Sequence, residues 1–293
     1  MKTKITQIVI VGTIFTIVSC SFSSKNNLGV MKMQCEVAGS GTPIVLVPGG
    51  LTGWSSWEPF VKLFSNTRTV IRVQLLGVQL GLENRQLPEY YSVKTESEAL
   101  AATLDSLGYT MPVDVVAWSY GAFTSLEFAL DHPDRIRTLT LIEPPALWVL
   151  KATGKWDEEA QSTANFMQTF HGEISEAMLA DFLVHAGFVQ PGHSARDLPQ
   201  WNTWIPYRRS LRMNPFIISN NDVQKLRNFK APTLLVKGTG STTWLHNIIE
   251  GLSETIPNAH VIELPGGHAP HLVSNERFLA ELDKFQSNRS SID

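Results

Sequence analysis

Val115-Val116-Ala117-Trp118-Ser119-Tyr120-Gly121-Ala122 carries an apolar, β-branched run straight into a helical pattern, with one serine at the junction. A strand that ends and a helix that starts within two residues need a sharp turn. The side chain at its apex is pushed outward on a strained backbone. Small residues two before and two after the apex prevent clashes, and Ala117 and Gly121 occupy those places. The five-residue pattern also arises as an ordinary turn or helix cap, so its weight comes from its flanks.

The strand–helix alternation continues in both directions. Upstream, Pro43 to Val47 is a continuous apolar run ended by Pro48-Gly49-Gly50, and Thr69 to Leu75 is a second strand. Thr95 to Leu107 reads as a helix, with Thr95 and Glu98 spaced as a capping box and Gly108 as its stop. Downstream, a helix over Tyr120 to Leu130 ends at His132-Pro133, and Ile136 to Ile142 is the next strand. Pro232 to Val236, Thr243 to Thr255, His260 to Leu264 and Asn275 to Phe285 then read as strand, helix, strand and helix. Strands apolar at successive positions are buried on both faces. The expected class is therefore α/β, a mostly parallel, doubly wound sheet built from residues 36–144 and 231–288. Between residues 145 and 230 the strand pattern lapses into helices rich in Trp and Phe, which predicts an inserted helical cap.

The order of these features resembles the α/β-hydrolase superfamily, from about Gly41 to Phe285. That resemblance implies Ser119 as a nucleophile; the dehalogenases and epoxide hydrolases of the superfamily carry Asp there. It also implies His268 as the base, within Leu264-Pro265-Gly266-Gly267-His268-Ala269-Pro270-His271 between the last strand and last helix. His271, in the same loop, reads as a packing or surface residue. An oxyanion needs two N–H donors. The resemblance gives them to Tyr120, directly after the nucleophile, and to Gly50, because Pro48-Gly49-Gly50 is similar to the family's His-Gly-x. Pro48 takes the place of a histidine that often braces this loop.

The third member of the triad departs from the family pattern. Its usual Asp falls on Ser241, and Lys237 to Thr243 contains no carboxylate. Either Ser241 orients His268 in a dyad, or the acid has moved to Glu143, at the end of the strand Leu141-Ile142-Glu143. A buried carboxylate is costly unless paired, and the order Ser119, Glu143, His268 matches nucleophile, acid, base. Glu143 is the expected acid.

The resemblance implies a cofactor-free hydrolase acting on a small, partly apolar carboxylic ester, lactone or thioester through an acyl-enzyme. A C–C bond hydrolase or cofactor-free perhydrolase would use the same residues, and a non-catalytic envelope binding protein is the third reading. Trp118, Leu147 and Trp148 are expected to touch substrate, with Phe166, Phe170, Trp201 and Trp204 as further lining. Arg208, Arg209 and Arg212 read either as a carboxylate site or as a solvated face. Cys and His spacing offers no zinc site, and no glycine-rich phosphate loop precedes a helix.

Of the 293 residues 43% are hydrophobic and 17% charged, enough for a large core, and the net charge of −3 gives no attraction for nucleic acid. The chain begins with Lys2 and Lys4, an apolar run from Ile8 to Val18, then Ser19-Cys20. This reads as a cleaved export signal over residues 1–19, since the run is too short for a permanent span. Ile17-Val18-Ser19-Cys20 resembles the lipobox of bacterial lipoproteins. It implies lipid on Cys20, a tether over residues 20–35 and a place in the bacterial envelope facing the periplasm; the alternative is an ordinary signal peptide that happens to contain a Cys, on a secreted protein. Two cysteines, one committed to lipid, give no disulfide framework.

Overall fold

The computed structural model describes residues 18–20, 30–189, 192–212 and 222–287. Most of the expected export signal and the tether segment 21–29 lie outside them, and so does the part of the expected cap at 213–221. The described strands are β1 (Val18–Cys20), β2 (Gln34–Ala38), β3 (Thr42–Val47), β4 (Arg68–Gln74), β5 (Val113–Trp118), β6 (Ile136–Ile142), β7 (Thr233–Gly238) and β8 (Ala259–Leu264). They form one sheet in the order β1-β2-β4-β3-β5-β6-β7-β8. β1 and β2 are antiparallel at one edge, and the other strands run parallel.

Successive residues of the central strands go to opposite faces, and each face has its own cover. Val45, Val47, Val115, Ala117, Leu139 and Leu141 pack with α3 (Val93–Ser106), α4 (Tyr120–Asp131) and α10 (Thr243–Thr255). Ile44, Leu46, Val116, Trp118 and Ile142 pack with α1 (Glu58–Phe64) and α12 (Asn275–Ser287), through Phe60, Phe278 and Leu282. Each of the Val, Leu, Ile and Phe side chains among them contributes about 1.5–3 kcal/mol when removed from water. This two-sided burial is why the strands read as unbroken apolar runs.

The insertion also holds α5 (Trp148–Ala152), α6 (Glu158–Met167), α7 (Glu176–His185), α8 (Trp201–Trp204), a 3-10 turn over Ile205–Leu211 and α9 (Val223–Asn228). α6, α7, α8 and the turn share a separate apolar core that includes Phe170, Phe182, Trp201 and Trp204. α9 belongs to the main body instead. Its Leu226 sits in the main core, and Lys225 Nζ pairs with Asp131 at 2.7 Å. The cap is therefore shorter than 145–230.

Two further boundaries differ from expectation. The tether was expected to run to Cys35, yet Met33 is buried, its amide donating to Thr103, and β2 starts at Gln34. α3 starts at Val93, because the capping box is made by Ser92 and Thr95. Thr95 is thus the far half of the box, and Glu98 has no part in it. α2 (Leu76–Leu82) was not expected at all. α11 (Pro270–Val273) is a single turn after the His268 loop. Among the described residues no helix is long and apolar enough to cross a membrane.

Candidate active site

Parallel strands end on the same edge of a sheet, so the loops after β3, β5, β6, β7 and β8 meet above one edge. Ser119 follows β5 with φ 54° and ψ −126°. This left-handed conformation is costly for serine, and hydrogen bonds on both sides hold it: its amide donates to Ile142 O at 2.9 Å, and its carbonyl accepts from Phe123 N at 3.0 Å. Gly121 is required two residues on, where a methyl would overlap the Pro48 carbonyl oxygen.

Glu143 is strained in the same way at the end of β6, with φ 46°, its amide donating to Val236 O at 3.1 Å. Its side chain is 0% exposed. Oε1 accepts from Gly238 N at 2.7 Å, and Oε2 accepts from Ser241 Oγ at 2.7 Å and from His268 Nδ1 at 2.8 Å. A carboxylate only accepts, so Nδ1 carries the proton. His268 Nε2 is then left to accept from Ser119 Oγ, at 2.8 Å. The structure thus brings Ser119, His268 and Glu143 into one hydrogen-bonded line. Ser241 touches Glu143, not His268.

The histidine is held from two more directions. Trp118 Nε1 donates to its backbone carbonyl at 2.7 Å, and the Phe188 ring stands edge-on to the imidazole, centroids 5.1 Å apart. Three residues later His271 is fully buried among Trp57, Phe60, Trp118 and Phe278, with neither ring nitrogen hydrogen-bonded. Burial, and to a lesser degree His268, pushes its pKa from 6.5 down to about 3. It packs as a neutral ring.

Gly49 and Gly50 lie against the nucleophile turn: a methyl on Gly49 would sit 3.3 Å from Ser119 Cβ, and one on Gly50 3.5 Å from Tyr120 Cβ. Both expected oxyanion donors, Gly50 and Tyr120, therefore flank the serine. Sequence reasoning missed the support behind Tyr120. Its hydroxyl bonds to Tyr91, whose own hydroxyl donates to the buried Glu96 at 2.5 Å. Desolvation raises the pKa of the Tyr120 phenol, and the Glu96 charge adds to it. Glu96 also accepts from the amides of Leu76 and Gly77, the first turn of α2. A glutamate inside an amphipathic helix carries no sequence signal for that contact.

Over Ser119 lies a cleft of about 690 Å³, including the part open to solvent, whose walls include Leu51, Trp118, Phe123, Met167, Phe182, Phe188 and Trp244. No charged side chain lines it among the described residues. Trp118 is at the expected place. Leu147 and Trp148 are not: both pack into the main core, where α5 lies against α10, and Pro145 lines the cleft instead. Phe166, Phe170, Trp201 and Trp204 likewise pack within the cap. Met167 and Trp244 were missed, since nothing in their spacing separates a wall from a core. Arg208, Arg209 and Arg212 turn to Glu173 and to backbone carbonyls of Ile174, Ile205, Arg209 and Arg85. Among the described residues no group of three or more His, Cys, Asp or Glu is placed to hold a metal ion.

A serine at a strained strand-to-helix turn, hydrogen-bonded to a histidine that is itself paired to a carboxylate, defines a class of hydrolase. The chain belongs to the alpha/beta hydrolase fold family, whose model matches residues 42–274. It is 36% identical over 117 residues to a 2-hydroxy-6-oxo-2,4-heptadienoate hydrolase of Pseudomonas putida, a match covering 39% of this chain and 41% of that one. It is 22% identical over 269 residues to the pimeloyl-[acyl-carrier protein] methyl ester esterase of Nitrosospira multiformis, covering 88% of this chain and 99% of the esterase. In fold it is similar to the carboxylesterase CesB of Bacillus subtilis, at a TM-score of 0.65 and 16% identity, covering 93% of this chain and 91% of that one.

Proposed function

We propose that this hydrolase cleaves small, partly apolar carboxylic esters, lactones or thioesters through an acyl-enzyme on Ser119. The observation that carries this reading is the unbroken line from Glu143 through His268 to Ser119, with 2.8 Å at each histidine bond. His268 Nε2 takes the hydroxyl proton as Oγ attacks the carbonyl carbon, and Glu143 stabilises the resulting imidazolium. The Gly50 and Tyr120 amides stabilise the oxyanion. Collapse expels the alkoxide or thiolate, which takes the proton from His268. Water, deprotonated by the same nitrogen, then attacks the acyl-enzyme and releases the acid.

Of the two chemistries named by the relatives, the ester is favoured by the cleft. A dienoate is a carboxylate, and a carboxylate buried without a cation is strongly disfavoured. Among the described residues the cleft is lined by no cation, and the cap arginines Arg208, Arg209 and Arg212 are engaged with Glu173 and backbone carbonyls. The relocated acid also weighs against a non-catalytic binding protein.

We further propose export and lipidation at Cys20, on the strength of Lys2, Lys4, the apolar run and the lipobox-like Ile17 to Cys20. Cleavage before Cys20 would take Val18 and Ser19 from β1 and leave the other seven strands whole. Loss of membrane association in Cys20→Ser is the expected outcome; unchanged association ends that proposal.

A fluorophosphonate probe and a panel of p-nitrophenyl esters test the activity. Labelling and turnover in the intact chain, both absent in Ser119→Ala, are expected. An intact chain that neither labels nor turns over esters sinks the reading.

A further inference from the structure

The loop that would supply one oxyanion donor has almost nothing of its own to hold it. Pro48 has no amide hydrogen, and Gly49 and Gly50 have no side chains. Consecutive glycines are the most costly residues to fix in one conformation. Yet an oxyanion donor is effective only when it is already aimed before the reaction. Something outside the loop must therefore restrain it.

The restraint comes from the cap. Ser210, 9% exposed in the turn Ile205–Leu211, places Oγ 2.5 Å from the Gly50 carbonyl oxygen and 2.5 Å from that of Tyr207. The hydroxyl has one proton within reach of both carbonyls; donated to Gly50 it joins the loop to the cap, and donated to Tyr207 it closes its own turn. Ser210 is itself fixed from behind. A methyl on Gly81 would meet the Ser210 amide nitrogen at 2.9 Å and its Cα at 3.2 Å, so α2 presses backbone to backbone against the turn. Arg212 then donates to the Arg85 carbonyl just beyond α2 at 2.8 Å and to the Arg209 carbonyl at 2.9 Å, closing the turn on the other side.

We propose that Ser210 is a positioning residue of the oxyanion hole: by anchoring the peptide plane that follows Gly50 it restricts the backbone freedom of residue 50, and with it the direction of the Gly50 amide in the plane before. The cap then does more than roof the cleft, because its seating on α2 completes the catalytic loop. This inference rests on the serine-hydrolase reading above.

The test compares the intact chain, Ser210→Ala and Ser210→Thr in three measurements: kcat and KM on p-nitrophenyl butyrate, the second-order rate of fluorophosphonate labelling, and Tm. Removing an oxyanion donor outright costs about 10²–10³ in rate, and losing only its aim should cost less. Ser210→Ala should lower kcat and the labelling rate together by about tenfold, with KM within about twofold and Tm lowered by a few degrees at most, the chain staying folded at the assay temperature. Ser210→Thr, which keeps the hydroxyl, should recover most of both rates. A raised KM with unchanged kcat would make Ser210 a substrate contact and overturn the proposal. So would equal rates in Ser210→Ala and the intact chain, or a loss shared by Ser210→Thr. An intact chain inert to probe and ester would defeat the hydrolase reading itself.

Discussion

The loops after β6 and β7 sit side by side and divide one task between them. In the loop after β7 the family's usual carboxylate position holds Ser241, and in the loop after β6 Glu143 stands on a strained backbone facing His268. The β7 loop has not dropped out of the site. Together with the last residue of β7 it supplies two of the three donors on the carboxylate, the Gly238 amide and the Ser241 hydroxyl. A buried carboxylate is costly unless its oxygens accept hydrogen bonds. The comparison teaches that the carboxylate beside His268 stands one strand over from the family's usual position, and that the residue at that position is hydrogen-bonded to it.

The strongest way to break this division is Glu143→Gln. The amide is nearly isosteric but carries no charge and favours the wrong histidine tautomer, so kcat should fall by on the order of 10³–10⁴. A fall of less than tenfold in steady-state kinetics would mean that Glu143 is not the acid. A sharper test moves the charge back. Glu143→Ser combined with Ser241→Asp should be about tenfold faster than Glu143→Ser alone, because residue 241 already reaches the Glu143 carboxylate at 2.7 Å. Additive losses in that double mutant would show that only the β6 loop can present a carboxylate to His268. Ser241→Ala removes one donor of three, and a hydrogen bond to a charged group is worth about 1.5–3 kcal/mol. With the other donors in place, kcat should fall about three- to tenfold; a loss equal to that of Glu143→Gln would overturn the assignment of roles.

Acid provides the smallest effect and separates the two loops from their neighbour His271. The folded His271 sits at about 3 against an ordinary 6.5. Between those values the unfolded chain binds a proton that the folded chain refuses. Its contribution to stability is therefore complete above about pH 6.5 and lost as pH falls toward about 3. Replacing His271 by Leu should flatten the dependence of Tm on pH in that window, read by circular dichroism. An unchanged slope would show that His271 does not carry the acid sensitivity.

Much of this was legible in the residue order, and the misses share a cause. Local patterns report local geometry: the β5 turn, the apolar strands and the glycines around His268 follow from spacing along the chain. Ser92 as the true cap of α3 and the edge strand β2 were missed because short polar segments serve a turn, a cap or an edge equally well. Leu147 and Trp148 were placed on the cleft because an aromatic near a catalytic strand end suits a wall and a core alike.

The sequence by itself determined the parallel strands of the sheet, the serine at its turn, the histidine loop and the absence of a carboxylate from the β7 loop, since each is written in a few consecutive residues. Only the tertiary structure decided which residue answers that absence, which cap residues reach the cleft, and that Ser210 and Glu96 stand behind the two expected oxyanion donors. Those contacts join residues 95, 125 and 160 positions apart, Glu143 to Gly238, His268 to Glu143 and Ser210 to Gly50, and no local pattern encodes a distance that the packing of whole strands and helices sets.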